Sequence, residues 1–392
     1  MNTAPLVIRA DVLIAAACQQ TGLDDFGGDS FREGLEVFCE SASSEAQLNQ
    51  IGAAVLPGAI LSCLTNRLKV VDWVKRHPEA SAERIESPTV VIGMFRAGTT
   101  FLSYLLEKDE RHRPLLRWEA GDSVPPPTPA TRRTDVRIAA AQAAAAMLDQ
   151  INPRVRLVQN EEPDGPTECI SVLNQDFKSL VWEAMANVPG YGRWLQATDH
   201  GSAYEYHRSV LQVLQSGGVR GRWSLKSPHH ALHLDALTAV YPDARLVLMH
   251  RDPLVLCASV CSLISTLTKT FSDAVHRRYI ADHWTELLAQ SIAKVDAFRD
   301  ANPTQRIVDV HYAELVRDPL GTMHRVYAAF GEELDGHALR AMTDHIESHP
   351  KGRFGRHAYD LSEFGLDAAT VTEKFRSYVE RYDIPVEQFV NP

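Results

Sequence analysis

The stretch VVIGMFRAGTTFL, residues 90–102, has the outline of a phosphate-binding loop. Three β-branched residues precede Gly93 and Gly98, and an amphipathic helical pattern follows. Nucleotide hydrolases use G-x-x-x-x-G-K-[ST] at such a turn, where backbone N–H groups and the lysine hold phosphates. Here Thr99 stands at the lysine position, and Arg96 lies inside the loop. We therefore expect an anion site that differs from a standard nucleoside triphosphate site.

Three further strand-like segments end in groups suited to binding an anion or moving a proton. RWSLK ends in Lys226, ARLVLMH leads into Arg251, and RIVDVHY ends in Tyr312. The carboxyl ends of parallel strands meet at one edge of a sheet, where ligands of such proteins bind. The sequence therefore predicts a single polar site assembled from all four strand ends.

The elements that must position these residues alternate between strand and helix patterns. This alternation predicts an α/β fold in three layers, with a central, mostly parallel sheet, helices on both faces and a P-loop-like turn. Residues 1–86 carry apolar residues at helical spacing and are expected to form an extra N-terminal helical region packed on the core. The α/β domain then spans residues 87–392. Arg9 and Asp11 in the first apolar run favour a helix over a signal peptide.

Composition excludes several classes of protein. The chain has 392 residues, 45% hydrophobic and 23% charged, and a net charge of −10, so it lacks the basic footprint of a nucleic-acid-binding protein. We find no apolar run of membrane-spanning length, and the cytoplasm is the default location. The six cysteines are scattered, which favours core packing. His229 and His233 have the spacing of a zinc pair, but no third ligand is evident, so no metal is expected.

Taken in order, these segments resemble the sulfotransferases that use 3′-phosphoadenosine-5′-phosphosulfate (PAPS), in the bacterial branch of that family. FRAGTTFL resembles the family's 5′-phosphosulfate loop, and LKSPHHALHLDAL the strand that carries an active-site lysine. HRDPLVLCAS resembles the 3′-phosphate segment, with Ser259 eight residues after Arg251. HYAELVRDPLGTM and KGRFGRHAY resemble the adenine-side tyrosine segment and a late Lys-Gly turn. The resemblance covers about residues 88–380.

The resemblance implies a role for each of these positions. Arg96 and Lys226 are expected to stabilise the negative charge that grows on the leaving oxygen during transfer. Tyr312 is expected near the adenine. The residues implied in holding the 5′-phosphosulfate are Arg96, Ala97, Gly98, Thr99 and Thr100, and those implied in holding the 3′-phosphate are Arg251, Ser259, Lys351 and Gly352.

The general base stays open between several residues. Some branches of the family place a glutamate a little over twenty residues after the basic loop residue, and Glu119 stands 23 residues after Arg96. Pro228 occupies the position where many members have a catalytic histidine, which leaves His230 as the nearby alternative. Glu162 and Asp164 are further candidates. We favour Glu119 on the sequence, since burial can tune a carboxylate into a base.

The resemblance implies an enzyme that moves a sulfuryl group from PAPS to a hydroxyl or amine of a small-molecule, lipid or sugar acceptor, without a metal. One alternative is a P-loop nucleotide or small-molecule kinase, which the absence of lysine at Thr99 argues against. Another is a non-catalytic, nucleotide-binding relative. No nucleic acid or integral membrane segment is expected, and the oligomeric state is not readable.

Overall fold

A computed structural model describes residues 7–155, 162–274, 276–349 and 361–387. The centre of the fold is a five-stranded sheet in the order β2-β3-β1-β4-β5, with all four neighbouring pairs parallel. The strands are β1 Thr89–Gly93, β2 His112–Pro114, β3 Arg222–Ser227, β4 Arg245–His250 and β5 Ile307–His311. The three strands expected after β1 are thereby confirmed.

Helices surround the sheet and connect its strands. The α-helices are Ala10–Thr21, Arg32–Ser44, Gln50–Arg76, Pro78–Ser81, Thr99–Glu107, Arg117–Gly121, Val136–Ile151, Ile170–Leu173, Val181–Met185, Pro189–Ala197, Gly201–Ser216, Leu234–Val240, Pro253–Phe271, Arg277–Ala301, Tyr312–Arg317, Pro319–Ala329, Gly336–Ser348, Ala368–Lys374 and Arg376–Arg381. Short 3₁₀ helices cover Asn174–Asp176, Pro228–Leu232 and Leu361–Phe364.

The strand sequences explain why the sheet is covered on both faces. Every residue of β1 is buried, as expected for a central parallel strand without a solvent face. Successive side chains of a strand point to opposite faces. Accordingly, Val91 and Val247 belong to one buried apolar cluster, and Val90 and Leu246 belong to the other. The two clusters are the cores between the sheet and its two helical layers, and the predicted three-layer α/β fold is confirmed.

The N-terminal helices share the core of the α/β domain. Leu64 and Leu68 of the helix Gln50–Arg76 lie in the same buried cluster as Val247 of β4. Arg67 of that helix forms a buried ion pair with Asp176 at 2.8 Å. The helical character of this region is as expected, and the domain boundary at residue 86 stays a prediction.

Two helices have the length and hydropathy of a membrane-spanning segment, Gln50–Arg76 and Pro253–Phe271. In the most apolar window of each, 50% and 67% of the residues are buried inside the protein. Core helices of soluble proteins have the same character, so the two helices are weak support for a membrane location. The expectation that no integral membrane segment is present concerned uninterrupted apolar runs, and it stays a prediction.

The pairing register of the parallel strands brings their carboxyl ends to the same level. Ile92 of β1 pairs with Ser227 of β3, and Gly93 pairs with Met249 of β4. His250 at the end of β4 pairs with His311 at the end of β5. The residues that follow β1, β3, β4 and β5 therefore emerge along one edge of the sheet, as the sequence predicts.

Candidate active site

The loop after β1 has the backbone of a tight anion-binding turn. Arg96 has a φ of 72°, and Gly98 has a φ of 93°, so both lie in the left-handed region. For arginine this conformation costs about 1 kcal/mol, and such backbone strain is typical of functional loops. The helix Thr99–Glu107 starts directly after the turn, and its first N–H groups carry the positive end of the helix dipole. The turn therefore favours an anion at this edge of the sheet.

Tyr312 packs directly on this turn. A Cβ atom added to Gly98 would lie 2.5 Å from the Tyr312 ring, so only glycine fits there. The guanidinium of Arg251 lies over the Tyr312 ring, 4.0 Å from its centroid. Tyr312 thus joins the end of β5 to the loop after β1 and to the residue after β4.

Arg251 and Arg96 are joined through the loop backbone. Arg251 Nη1 donates a hydrogen bond of 2.8 Å to the Arg96 carbonyl oxygen. Arg96 Nε donates in turn to Ser259 Oγ at 2.9 Å. Ser259 lies in the second turn of the helix Pro253–Phe271, whose N-terminus is capped by the Asp252 side chain. The sequence-predicted residues Arg96, Arg251 and Ser259 are therefore brought together.

Arg251 is also held by a carboxylate, Glu387, that no sequence motif singled out. Its Nε and Nη2 atoms donate to the two carboxylate oxygens of Glu387 at 2.8 and 2.9 Å. This two-pronged pairing is the geometry with which arginine also binds phosphate. Glu387 is anchored there because its backbone N–H donates to Asp252 Oδ2 at 2.8 Å.

Lys226 lies at the other side of the loop. Its side chain is fully buried, and Nζ lies 3.3 Å from Thr100 Oγ1 and 3.2 Å from Glu168 Oε1. Glu168 reaches this position because Cys169 N donates to the Lys226 carbonyl oxygen at 2.8 Å, beside the end of β3. The carboxylate keeps 22% of its side-chain surface exposed. One buried cation, one hydroxyl and one accessible carboxylate therefore meet beside the anion-binding turn.

Sequence reasoning missed Glu168 although it inspected the segment that contains it. The stretch NEEPDGPTEC offers several acids, and Glu162 and Asp164 were the ones considered. Only the pairing of Pro166 with Leu116 and of Cys169 with β3 determines which acid reaches the strand edge. Asp164 is exposed, and Glu162 contacts Tyr104 through its backbone N–H.

Glu119 lies in a separate network. Its side chain is fully buried, and Oε1 is 3.4 Å from Arg113 Nη2 and 3.1 Å from Arg132 Nε. Its Oε2 accepts a hydrogen bond from Leu116 N at 3.1 Å, which caps the helix Arg117–Gly121. Both oxygens are engaged by groups of the protein, and this structural role argues against the sequence preference for Glu119 as the base. That preference stays a prediction.

His230 is buried behind the end of β3. Its Nδ1 lies 2.8 Å from the Tyr204 hydroxyl, and burial lowers its pKa to about 3. A base needs a pKa near the working pH, so this environment argues against His230 in that role. Lys351 and Gly352, expected at the 3′-phosphate, lie outside the described residues.

Comparison with known proteins identifies relatives over most of the chain. The profile of the sulfotransferase family matches residues 88–336. The omega-hydroxy-beta-dihydromenaquinone-9 sulfotransferases Stf3 of Mycobacterium bovis and Mycobacterium tuberculosis are 22% identical over 269 residues, which cover 63% of this chain and 63% of each relative. The chain thus matches less than two thirds of the length of these curated relatives.

Two crystal structures resemble the whole fold. Sulfotransferase STF9 from Mycobacterium avium is 32% identical, with a TM-score of 0.90 and 99% of both chains covered. Sulfotransferase STF1 from Mycobacterium tuberculosis H37Rv is also 32% identical, with a TM-score of 0.84, and covers 95% of this chain and 99% of its own. The similarity therefore includes the N-terminal helical region that lies outside the family profile.

Proposed function

This chain belongs to the sulfotransferase family, and we propose that it transfers a sulfuryl group from PAPS to a hydroxyl group on an apolar small molecule or lipid. The observation that carries the proposal is that two groups of cationic side chains lie along one edge of the sheet. Arg96 and Lys226 lie at one site, and Arg251 lies at the other. PAPS needs two such sites, because its phosphosulfate and its 3′-phosphate lie at opposite ends of one nucleoside.

We place the 5′-phosphosulfate on the turn Arg96–Thr100 and the 3′-phosphate near Arg251 and Ser259. Tyr312, which packs between the two sites, is the candidate contact for the adenosine. Lys351 and Gly352 stay predicted partners of the 3′-phosphate. The net charge of −10 makes these local cations the features that attract a polyanion.

The proposed reaction breaks the bond between sulfur and the bridging oxygen and forms a bond between sulfur and the acceptor oxygen. The acceptor proton moves to a carboxylate, and 3′,5′-ADP leaves with the electron pair of the broken bond. Lys226 and Arg96 stabilise the charge that develops on the leaving oxygen. We assign the base role to Glu168, because its partly exposed carboxylate lies 3.2 Å from Lys226 Nζ.

The acceptor class rests on relatives and on composition. The printed name of Stf3 states that it sulfates an omega-hydroxylated menaquinone derivative, which is an apolar acceptor. By analogy we propose a hydroxylated hydrophobic acceptor for this chain, reached from the cytoplasm. We expect neither the phosphate turn nor the transfer step to need a divalent metal.

A calorimetric titration tests the donor assignment. We expect 3′,5′-ADP to bind to the full chain without a metal and to outcompete ATP with Mg²⁺. Incubation with PAPS and a panel of hydroxylated quinones and sterols should then release 3′,5′-ADP together with a sulfated product. Preference for ATP with Mg²⁺ and indifference to the 3′-phosphate would overturn the proposal and favour a kinase.

A further inference from the structure

Three histidines meet behind the end of β3, apart from the proposed nucleotide site. His200 precedes the helix Gly201–Ser216, His229 lies in the 3₁₀ helix after β3, and His233 precedes the helix Leu234–Val240. One ring nitrogen from each residue lies within 4.8 Å of those of the other two. The sequence indicated only the pair His229 and His233, because the third histidine, His200, is distant from them in the chain.

The spacing of two of these nitrogens already fits a shared metal ion. His229 Nε2 lies 3.2 Å from His200 Nδ1 and donates a hydrogen bond to it in the absence of a metal. Two imidazoles on a tetrahedral Zn²⁺, with bonds of about 2.0–2.1 Å, place their nitrogens roughly 3.3 Å apart. The His233 ring lies 3.5 Å from the His200 ring, centroid to centroid. His233 is less buried than the other two, so it is the ligand nearest to solvent.

The hydrogen bond between His200 and a backbone carbonyl leaves the Nδ1 atom of His200 with a lone pair that can coordinate a metal ion. Its Nε2 lies 3.0 Å from the Leu195 carbonyl oxygen, which fixes the proton on that nitrogen and leaves a lone pair on Nδ1. Metal-bound histidines commonly donate their second nitrogen to a backbone carbonyl in this way.

Burial of the three rings favours their neutral form. It lowers the pKa of His200 to about 4, and it also lowers the pKa values of His229 and His233. Metal ions bind only the neutral imidazole, so this burial favours coordination over protonation.

We propose that His200, His229 and His233 form a binding site for a divalent transition-metal ion of the zinc class. Three imidazole ligands are a known donor set for Zn²⁺, and water on the less buried His233 side supplies the fourth position. The ion would tie the turn after β3, three residues beyond Lys226, to the helix Gly201–Ser216. Its effect is stabilisation of the segment that carries Lys226.

Lys294 opposes a cation at this site and offers a way to test it. The positive charge of Lys294 contributes to the lowered pKa of His200, His229 and His233. Its side chain is exposed, so Lys294→Gln is compatible with folding. Removing this charge should tighten metal binding by about two- to fivefold, as for other partly screened charges.

The experiment uses the full chain without an affinity tag, stripped with a chelator and dialysed. Titration with Co²⁺ should produce the visible absorption of a tetrahedral cobalt site with a stoichiometry of one. Zn²⁺ should displace the cobalt and raise Tm by about 3 °C or more when present at 100 times its Kd. His233→Ala should weaken Zn²⁺ binding at least tenfold, and Lys294→Gln should strengthen it.

The matched control is His345→Ala. His345 and His349 also stack, with ring centroids 4.3 Å apart, but at an exposed helix end. This control should bind Zn²⁺ as the parent does. Loss of binding in His345→Ala but not in His233→Ala, or the absence of a tetrahedral cobalt spectrum, would overturn the site. Unchanged binding in Lys294→Gln would also contradict it. None of these readouts depends on sulfuryl transfer, so failure here leaves the proposed enzyme activity untouched.

Discussion

The two ends of the proposed nucleotide site each pair a cation with a carboxylate, but they do so with different chemistry. At the sulfate end, Lys226 is a fully buried point charge with single contacts to Thr100 and Glu168. At the 3′ end, the planar guanidinium of Arg251 makes two parallel hydrogen bonds to Glu387. A lysine ammonium can redirect its donors as charge moves, whereas an arginine fork recognises one fixed anion. The difference separates a catalytic end from a recognition end.

The largest effect is expected from Glu168→Gln at the sulfate end. Loss of the proposed base should lower kcat by about 10²- to 10⁴-fold and leave the Kd for 3′,5′-ADP within about threefold of the parent. Steady-state kinetics with saturating acceptor and calorimetry measure the two quantities. Glu107→Gln, in the helix that follows the phosphate turn, is the control and should retain activity. A Glu168→Gln enzyme with normal kcat would move the base role elsewhere.

Arg251→Ala should show the opposite pattern, because it should affect the Kd for 3′,5′-ADP more than kcat. Removal of a charge-assisted, two-pronged contact should raise the Kd for 3′,5′-ADP by about 10- to 100-fold. Arg251→Lys should recover only part of the affinity, because a point charge replaces the fork. The control Arg245→Ala lies on the same strand at the opposite edge of the sheet, where Arg245 pairs with Glu332. Unchanged affinity in Arg251→Ala would contradict the proposed role of Arg251 in recognising the 3′-phosphate.

Glu387→Gln tests whether the carboxylate at the 3′ end competes with the nucleotide. Glu387 holds the donors of Arg251 that a phosphate would use. We expect the variant to bind 3′,5′-ADP about fivefold more tightly, equivalent to about 1 kcal/mol, with the gain shrinking at high salt. Weaker binding would mean that Glu387 orients Arg251 instead of competing for it. Glu380→Gln, exposed on the preceding helix, is the neutral comparison.

The smallest predicted effect is a difference between the two ends in how their histidines make the stability of the protein depend on pH. A buried histidine lies near each cation in the chain: His230 follows Lys226 by four residues, and His250 directly precedes Arg251. Burial lowers the pKa of His230 to about 3, whereas His250, which is also lowered by burial, is supported by Asp309 at 2.8 Å. The unfolded chain, with a histidine pKa near 6.5, therefore binds more protons than the folded protein below that pH.

Stability should consequently be lost as pH falls from about 6.5 toward 4, by up to about 1.4 kcal/mol per pH unit for His230. Urea unfolding at a series of pH values measures this slope. His230→Gln should flatten the slope by more than His250→Gln does. Equal slopes in both variants would show that Asp309 makes no difference.

The sheet and the glycine turn after β1 were predictable because their signals are local. Val90–Ile92 form a continuous apolar run, and the two glycines with the following helix pattern define the turn without reference to the rest of the chain. The register between strands then aligned Lys226, Arg251 and Tyr312 as the sequence led us to expect.

The carboxylates were not predictable, because their roles depend on contacts between distant segments. Glu119 has favourable spacing from Arg96, yet Arg113 and Arg132 enclose it. Glu168 reaches Lys226 only through the pairing of Cys169 with β3, and Glu387 meets Arg251 across 136 residues of chain. The metal candidate His200 joins His229 for the same kind of reason.

The contact between Gly98 and Tyr312 has a consequence for synthesis of the chain. The phosphate turn leaves the ribosome more than two hundred residues before the aromatic ring that packs on it. At about 5–20 residues per second, that interval lasts roughly 10 to 40 s. During this time Tyr312 has not been synthesised and cannot pack on Gly98. Nucleotide binding by ribosome-bound chains should therefore begin only after β5 and Tyr312 have emerged.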